Sequence, residues 1–207
     1  MRSILYKDLV VERTILLIYS AGVILFALQV VPIFDPLALA FCLALFFTFT
    51  TATHEEMNNG HILLNSLPVD RKEVVAAKYA FHLAVGAGFL GLDVLLEAVT
   101  GAWSPDLGRQ FAFAVLGIIW FVSVFFPLYF WLGHRFVQIA MIILFVMIVA
   151  VVPIVYNLGA KHDFWGILDA VRTLPNALLL GLGAAVTAVV LIVSVFLSVR
   201  LYERKQF

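Results

Sequence analysis

Apolar runs long enough to cross a membrane alternate with short polar breaks along this sequence. The hydrocarbon core of a bilayer is about 30 Å thick, so a helix that crosses it needs about 20 apolar residues. The runs predict six such helices, at about residues 14–31, 37–53, 74–99, 111–132, 136–155 and 176–199. Turn residues such as Asp35-Pro36 and Ser104-Pro105 stand in the breaks. We therefore predict a single all-helical transmembrane domain over residues 1–207.

The residues before the first apolar run mix charges of both signs with apolar side chains. Arg2 and Lys7 stand close to the acids Asp8 and Glu12. The apolar run that follows continues into a second one without a small-residue cleavage site, which argues against a secretory signal peptide. We instead expect residues 3–13 to form a short helix at the membrane surface that leads into the first span.

Composition agrees with a membrane protein. Hydrophobic residues make up 64% of the chain and charged residues only 13%, whereas a soluble domain carries roughly 25% charged residues. The formal net charge is zero, which argues against a nucleic-acid partner. The single cysteine, Cys42, excludes an intramolecular disulfide.

Lysine and arginine positions predict the orientation, because cytoplasmic loops of membrane proteins are enriched in basic residues. With six spans and both termini in the cytoplasm, Arg109, Lys161 and Arg172 fall outside the cell. The other ten of the 13 basic residues fall inside. The sequence therefore predicts a multi-pass protein of the plasma membrane with both ends cytoplasmic.

The connection between the second and third spans carries the most information. It reads HEEMNNGHILLNSLPVDRKEVVAAKYAF and begins at His54. Pro68 stops any helix before it, and Asp70 is placed to cap the next one. A short helix here would expose four apolar side chains, those of Ile62, Leu63, Leu64 and Leu67. Such a helix needs either the lipid interface or a partner protein to bury them.

The run from Glu55 to Tyr79 resembles the small permease subunits of ABC-2-type ATP-binding cassette exporters. The shared pattern is an acidic residue, a Leu-Pro-Val turn and a basic-acidic helix start that ends in Lys-Tyr. The residues that carry it are Leu64, Ser66, Leu67, Pro68, Val69, Arg71, Lys72, Glu73, Val74, Lys78 and Tyr79. Asp70 stands where a serine is more usual. Six spans, cytoplasmic termini and a length of 207 residues look like that family over the whole chain, and the closest subgroup is similar to the membrane subunit of the phenol-soluble modulin exporter.

The resemblance implies that this connection is a coupling helix that docks on a separate P-loop ATPase subunit. Its contact residues would be an apolar anchor with a polar rim: Glu55, Glu56, Ile62, Leu63, Leu64, Leu67, Pro68 and Arg71. The chain contains no G-x-x-x-x-G-K-[ST] sequence, so ATP and Mg²⁺ would be bound by the partner, while this chain would bind no cofactor and would not be an enzyme. Two copies, most simply a homodimer, or one copy and a related permease would form the path through the bilayer.

Five residues of the third and fourth spans are candidates for a substrate path. Asp93 and Glu97 share a helix face near the outer end of the third span, which favours either a hydrated outer rim or a substrate or proton path. His82 lies deeper and either satisfies a helix contact or carries protons. Trp120 and Phe125 belong to an aromatic-rich fourth span; they either line a path for a hydrophobic or amphipathic cargo or pack against helices and lipid.

Other functions find less support in the sequence. His54 and His61 are seven residues apart, which on a helix separates them by roughly 10 Å, too far to share one zinc ion. The pattern of Gly86, Gly88 and Gly91 lies inside an apolar span, where close helix packing is the expected role. A six-helix secondary transporter, or a membrane scaffold or immunity protein without an ATPase, stays an alternative to the exporter permease.

Overall fold

The computed structural model describes residues 2–28, 35–57, 70–101, 106–133, 139 and 176–204. All the regular structure within these residues is helical: α1 (Arg2–Val11), α2 (Arg13–Ala27), α3 (Pro36–Met57), α4 (Arg71–Thr100), α5 (Leu107–Leu132) and α6 (Asn176–Arg204). The all-helical prediction is therefore confirmed for this part of the chain. The predicted span at 136–155 falls almost wholly outside the described residues.

Four described helices are long and apolar enough to cross a membrane, or five if the bent pair of α1 and α2 counts as one span. These four are α3, α4, α5 and α6, which match the predicted second, third, fourth and sixth spans. The count of six and the cytoplasmic position of both termini stay predictions.

The N-terminal segment forms a separate helix, as the sequence predicts. α1 meets α2 at an angle of 65°, with Glu12 at the break. Ile4, Asp8 and Glu12 recur every four residues and are buried, so one face of α1 turns toward the bundle. The opposite face is apolar and exposed, with Tyr6 and Leu9 among its residues. This helix therefore hides charged side chains and displays apolar ones, an arrangement suited to a lipid surface.

Helix α4 is the centre of the bundle, since it contacts each of the other five described helices. Its start is capped by Asp70, whose side chain accepts a hydrogen bond from the backbone N–H of Lys72 at 3.2 Å. Its end lies at Gly101, which adopts a left-handed conformation with φ of 77° that favours glycine. The predicted cap and the predicted end of the third span are both confirmed.

Polar contacts and one small residue hold the neighbouring helices against α4. The Tyr79 hydroxyl lies 2.6 Å from the Ser194 hydroxyl and 2.8 Å from that of Ser198, both on α6. At Gly86 an added Cβ would lie only 3.0 Å from a side-chain carbon of Ile118 on α5. In a bilayer such close approaches and interhelical hydrogen bonds stabilise helix association, because apolar burial gains little there.

One boundary prediction was wrong. The sequence places His54 and Glu55 in the polar connection after a span that ends near Thr53, but α3 continues to Met57. The reason is that both polar side chains find partners inside the bundle: His54 contacts Glu12 and Glu55 contacts Lys78. Partners elsewhere in the bundle lower the free-energy cost of placing a charged side chain in the last turn of a span.

Gly86→Leu is expected to destabilise the protein, because the new side chain must displace Ile118. Overpacking of this kind costs about 1–3 kcal/mol and should lower the midpoint of thermal unfolding by several degrees. Gly88→Leu is the matched control, since nothing lies within 4 Å of a Cβ added at Gly88. Thermal unfolding of the purified protein in detergent measures both. Equal midpoints for the two variants would show that α4 and α5 do not pack closely at Gly86.

Candidate coupling region at the basic end of the bundle

Charged residues of the described helices separate toward the two ends of the bundle. One end, called here the basic end, carries Lys7, Arg13, Arg71, Lys72, Lys78, Arg200 and Arg204 together with several acids. The other, called the acidic end, carries Asp35, Asp93, Glu97 and Asp106, and Arg109 is the one basic residue that the described ranges place there. This separation agrees with the predicted orientation, in which the basic end faces the cytoplasm.

A buried ion pair joins α3 to α4 at the basic end. The Lys78 ammonium group donates a hydrogen bond to Glu55 Oε2, and the two side chains are only 7% and 14% exposed. Lys7 of α1 adds a second ammonium group, 3.7 Å from Glu55 Oε1 and 2.8 Å from Asp8 Oδ1. Three helices are therefore tied together by four charged side chains, directly beside the connection that leaves α3 and enters α4.

The other residues of the predicted coupling helix are placed differently or lie outside the described ranges. Glu55 turns into the bundle, although the resemblance puts it at the polar rim of a docking surface. Arg71 stays exposed and donates a hydrogen bond to the backbone carbonyl of Glu203 at 2.8 Å, which ties the start of α4 to the end of α6. The residues that the structure does not describe are Ile62, Leu63, Leu64, Leu67, Pro68 and the side chain of Glu56.

His82 connects the ion pair to α3. Its Nδ1 lies 2.8 Å from the backbone carbonyl of Lys78, which can only accept, so Nδ1 carries the proton. The hydroxyl of Thr51 lies 2.9 Å from Nε2 and also donates to the backbone carbonyl of Phe47 at 2.9 Å, so it joins the ring to α3. The ring is buried against Phe47 and Phe126. The structure thus places His82 in a helix contact, and a role in the substrate path stays a prediction.

Glu12, at the break between α1 and α2, is a charged residue of this region that sequence reasoning missed. Its Oε1 accepts a hydrogen bond from His54 Nδ1 at 3.1 Å. Burial raises the pKa of the Glu12 carboxyl, contact with His54 lowers it, and the negative charges of Glu55 and Asp8 raise it. No local pattern marks this pair, because Glu12 and His54 are 42 positions apart.

A partly open cavity of about 150 Å³ lies against α1 and is lined by residues of α1, α3, α4 and α5 together with Glu12. Five charged side chains line it: Lys7, Asp8, Glu12, Glu55 and Lys78. Aromatic rings of Phe81, Phe126 and Tyr129 form another part of its wall. The basic end therefore holds a charged cavity immediately beside the ion pair.

The predicted path residues at the acidic end do not form an open rim. Asp93 is fully buried, and within the described part of the chain neither of its carboxylate oxygens has a hydrogen-bond partner. Glu97, one turn further along α4, is also buried. Asp35 lies at the start of α3, where it accepts a hydrogen bond from the backbone N–H of Leu37 at 2.9 Å. No group of three or more potential metal ligands occurs within the described ranges.

The two aromatic candidates lie in different surroundings. Trp120 is exposed, and its indole N–H donates to the Thr187 hydroxyl on α6 at 3.0 Å. Phe125 is buried and stacks on Phe121, with ring centres 5.6 Å apart. Phe125 therefore packs within the protein, while Trp120 presents a ring face to the surroundings of the bundle. Whether either contacts cargo stays a prediction.

These helices, with their apolar surfaces and charged ends, define a multi-pass membrane protein. A family model described as ABC-2 family transporter protein matches residues 3–203. The chain therefore belongs to the ABC-2 family of transporter proteins and is a multi-pass protein of the plasma membrane. Neither a search of curated proteins nor a search of solved structures found a match. The predicted membership of the ABC-2 family is thereby confirmed, and the family is a membrane component of transporters rather than a catalytic subunit.

Replacing one member of the buried ion pair should lower the free energy of unfolding more than replacing both members. Lys78→Met leaves Glu55 without its closest cation, and we expect a loss of about 3–5 kcal/mol in the free energy of unfolding. Glu55→Gln should act similarly, whereas the double variant should recover part of the loss because its charges are removed together. Thermal unfolding in detergent provides the measurement.

The exposed pair of Asp106 and Arg109, 3.0 Å apart, supplies the control for this cycle. Asp106→Asn is expected to change the free energy of unfolding by no more than about 0.5 kcal/mol, because exposed ion pairs contribute little. Losses that simply add in the Glu55 and Lys78 double variant would show that the two side chains are not energetically coupled.

Proposed function

We propose that this chain is the permease subunit of an ATP-binding cassette exporter and that a separate P-loop ATPase subunit binds and hydrolyses ATP with Mg²⁺. The observation that carries the proposal is the family match over residues 3–203. The chain itself has no P-loop sequence, so the energy must come from a partner. The alternative of a secondary transporter or an immunity or scaffold protein loses support because of the family match.

The docking site for the ATPase is residues 58–69. Met57 ends α3 and Asp70 precedes α4, so both residues that flank this connection lie at the basic end. The connection contains the apolar side chains that a partner surface would bury, those of Ile62, Leu63, Leu64 and Leu67. Such a cluster is the usual anchor of a protein interface.

A force on this connection has a direct route into the bundle. Glu55 and Lys78 tie the last turn of α3 to the third turn of α4, so the two helix ends respond together. Because α4 contacts every other described helix, a displacement of its start changes the packing of the whole bundle. This geometry supports α4 as the element through which ATPase closure opens the path.

The cargo we propose is hydrophobic or amphipathic, and the similarity to the phenol-soluble modulin exporter suggests a peptide. Two copies of the chain in a homodimer would enclose the path. The exposed ring of Trp120 supports an apolar or amphipathic cargo. Asp93 and Glu97 are buried and would contact a cationic group only after α4 moves. Export from the cytoplasm is proposed from the family resemblance alone.

Charged substitutions in the docking segment should uncouple the two subunits. Leu64→Glu and Leu67→Glu place a carboxylate where an apolar anchor must be buried, and we expect at least about a tenfold loss of affinity for the ATPase. The measurement is a pull-down with a P-loop ATPase that co-purifies with the unaltered chain from its native membrane, together with cargo-stimulated ATP hydrolysis in proteoliposomes.

Val99→Glu is the matched control, because Val99 is an exposed apolar residue at the opposite end of α4. It should leave ATPase binding unchanged. The docking proposal fails if Leu64→Glu and Leu67→Glu retain both binding and stimulated hydrolysis, and the permease proposal fails if no P-loop ATPase associates with the unaltered chain.

A further inference from the structure

The cavity beneath α1 carries more negative than positive charge on its lining. Asp8, Glu12 and Glu55 contribute three carboxylates, whereas Lys7 and Lys78 contribute two ammonium groups. Asp8, Glu12 and Lys78 are buried, and Lys7 and Glu55 are mostly so. Lys78 pairs with Glu55 and Lys7 with Asp8, whereas the described partner of Glu12 is the ring of His54, which is a counter-charge only when it is protonated. A buried carboxylate that lacks a counter-charge is costly.

Two carboxylate oxygens of this cavity are buried and have no hydrogen-bond partner among the described residues. They are Oε2 of Glu12 and Oε1 of Glu55. The other oxygen of Glu12 contacts His54, and the other oxygen of Glu55 contacts Lys78. Lys7 approaches Glu55 Oε1 only to 3.7 Å, beyond hydrogen-bond distance. Buried acceptors without a hydrogen-bond donor are rare, and both of these belong to side chains that line the same cavity.

The rest of the wall suits a small organic cation. Phe81, Phe126 and Tyr129 line the cavity, and aromatic faces attract cations. The volume of about 150 Å³ leaves room for several non-hydrogen atoms. Burial raises the pKa of Glu12, contact with His54 lowers it, and the negative charges of Glu55 and Asp8 raise it. A bound cation would offset the repulsion among these carboxylates.

We propose that this cavity binds a primary ammonium group, with Glu12 and Glu55 as its acceptors. A primary ammonium carries both the positive charge that the lining lacks and the N–H donors that the free oxygens need. A quaternary ammonium would supply the charge without the donors. A divalent metal is disfavoured, because no group of three potential ligands occurs in the described part of the chain.

Two sources could supply this ammonium group. One is the ethanolamine headgroup of a phospholipid, because α1 displays Tyr6 and Leu9 on its outer face and this suits the headgroup level of a bilayer. The other is a lysine side chain or the free amino terminus of a peptide cargo. The site itself does not depend on the ATPase and can be tested on the purified chain alone.

The test measures thermal unfolding of the purified protein in a non-ionic detergent at neutral pH. Ethylammonium should raise the unfolding midpoint by several degrees at saturation, while ethanol, tetramethylammonium and K⁺ at equal concentration should not. Glu12→Gln should weaken the apparent affinity for ethylammonium by about tenfold or more, because it removes a charged acceptor. Glu203→Gln, an exposed acid on α6, should leave the affinity unchanged.

A second variant keeps the test valid if Glu12→Gln fails to fold. Ala52→Leu adds volume at a buried position of the cavity wall without removing a charge, and it should also abolish the shift. The proposal is overturned if ethylammonium gives no shift, if K⁺ or tetramethylammonium gives the same shift, or if neither variant weakens it.

Native mass spectrometry distinguishes the two sources. Retention of phosphatidylethanolamine in preference to phosphatidylcholine, lost in Ala52→Leu, identifies the lipid headgroup. Binding of a lysine-containing amphipathic peptide, lost both in Ala52→Leu and on acetylation of its amino groups, identifies the cargo. Both results support an ammonium site, and binding of neither probe counts against it.

Discussion

Lys78 lies buried between apolar helices, and the carboxylate of Glu55 against its ammonium group makes that position tolerable. Removing two charges from water is expensive, so such a pair survives only with close contact and further partners. Lys7 supplies one, and His82 links the backbone of Lys78 to Thr51 on α3. The start of α4 is therefore fixed in place by charge, whereas most of its length is fixed by apolar packing.

The rest of the bundle follows from that fixed point. α4 contacts every other described helix. α5 packs against α4 at the small residue Gly86, and α6 contacts the hydroxyl of Tyr79. Contacts of this kind depend on exact register, because hydrocarbon on the outside gives no reason to prefer one apolar pairing over another. A shift of α4 along its axis would break the ion pair, the glycine contact and the hydroxyl contacts together.

The sequence predicted what depends on neighbouring residues and missed what depends on distant ones. Apolar runs located the long helices, and Asp70 and Gly101 marked the two ends of α4 correctly. The sequence alone predicts a loop at the last turn of α3, because a polar stretch begins at His54. Its partner Glu12 is 42 positions away, and no local periodicity reveals such a pair. The buried charged face of α1 could not be predicted either, because its partners are also distant in the sequence.

Glu55 takes part in two features at once: it anchors the connection on which an ATPase would dock, and it lines the cavity proposed to hold an ammonium group. A ligand that neutralises its free oxygen changes the balance of charge on the same carboxylate that holds Lys78. Any change in the connection that moves Glu55 must then alter the affinity of the cavity, and by linkage, occupancy of the cavity must alter docking by the same factor. ATPase docking and ligand binding at the basic end would thus involve one group of charged side chains. Because these side chains are buried, a change in the charge of one alters the stability of the others.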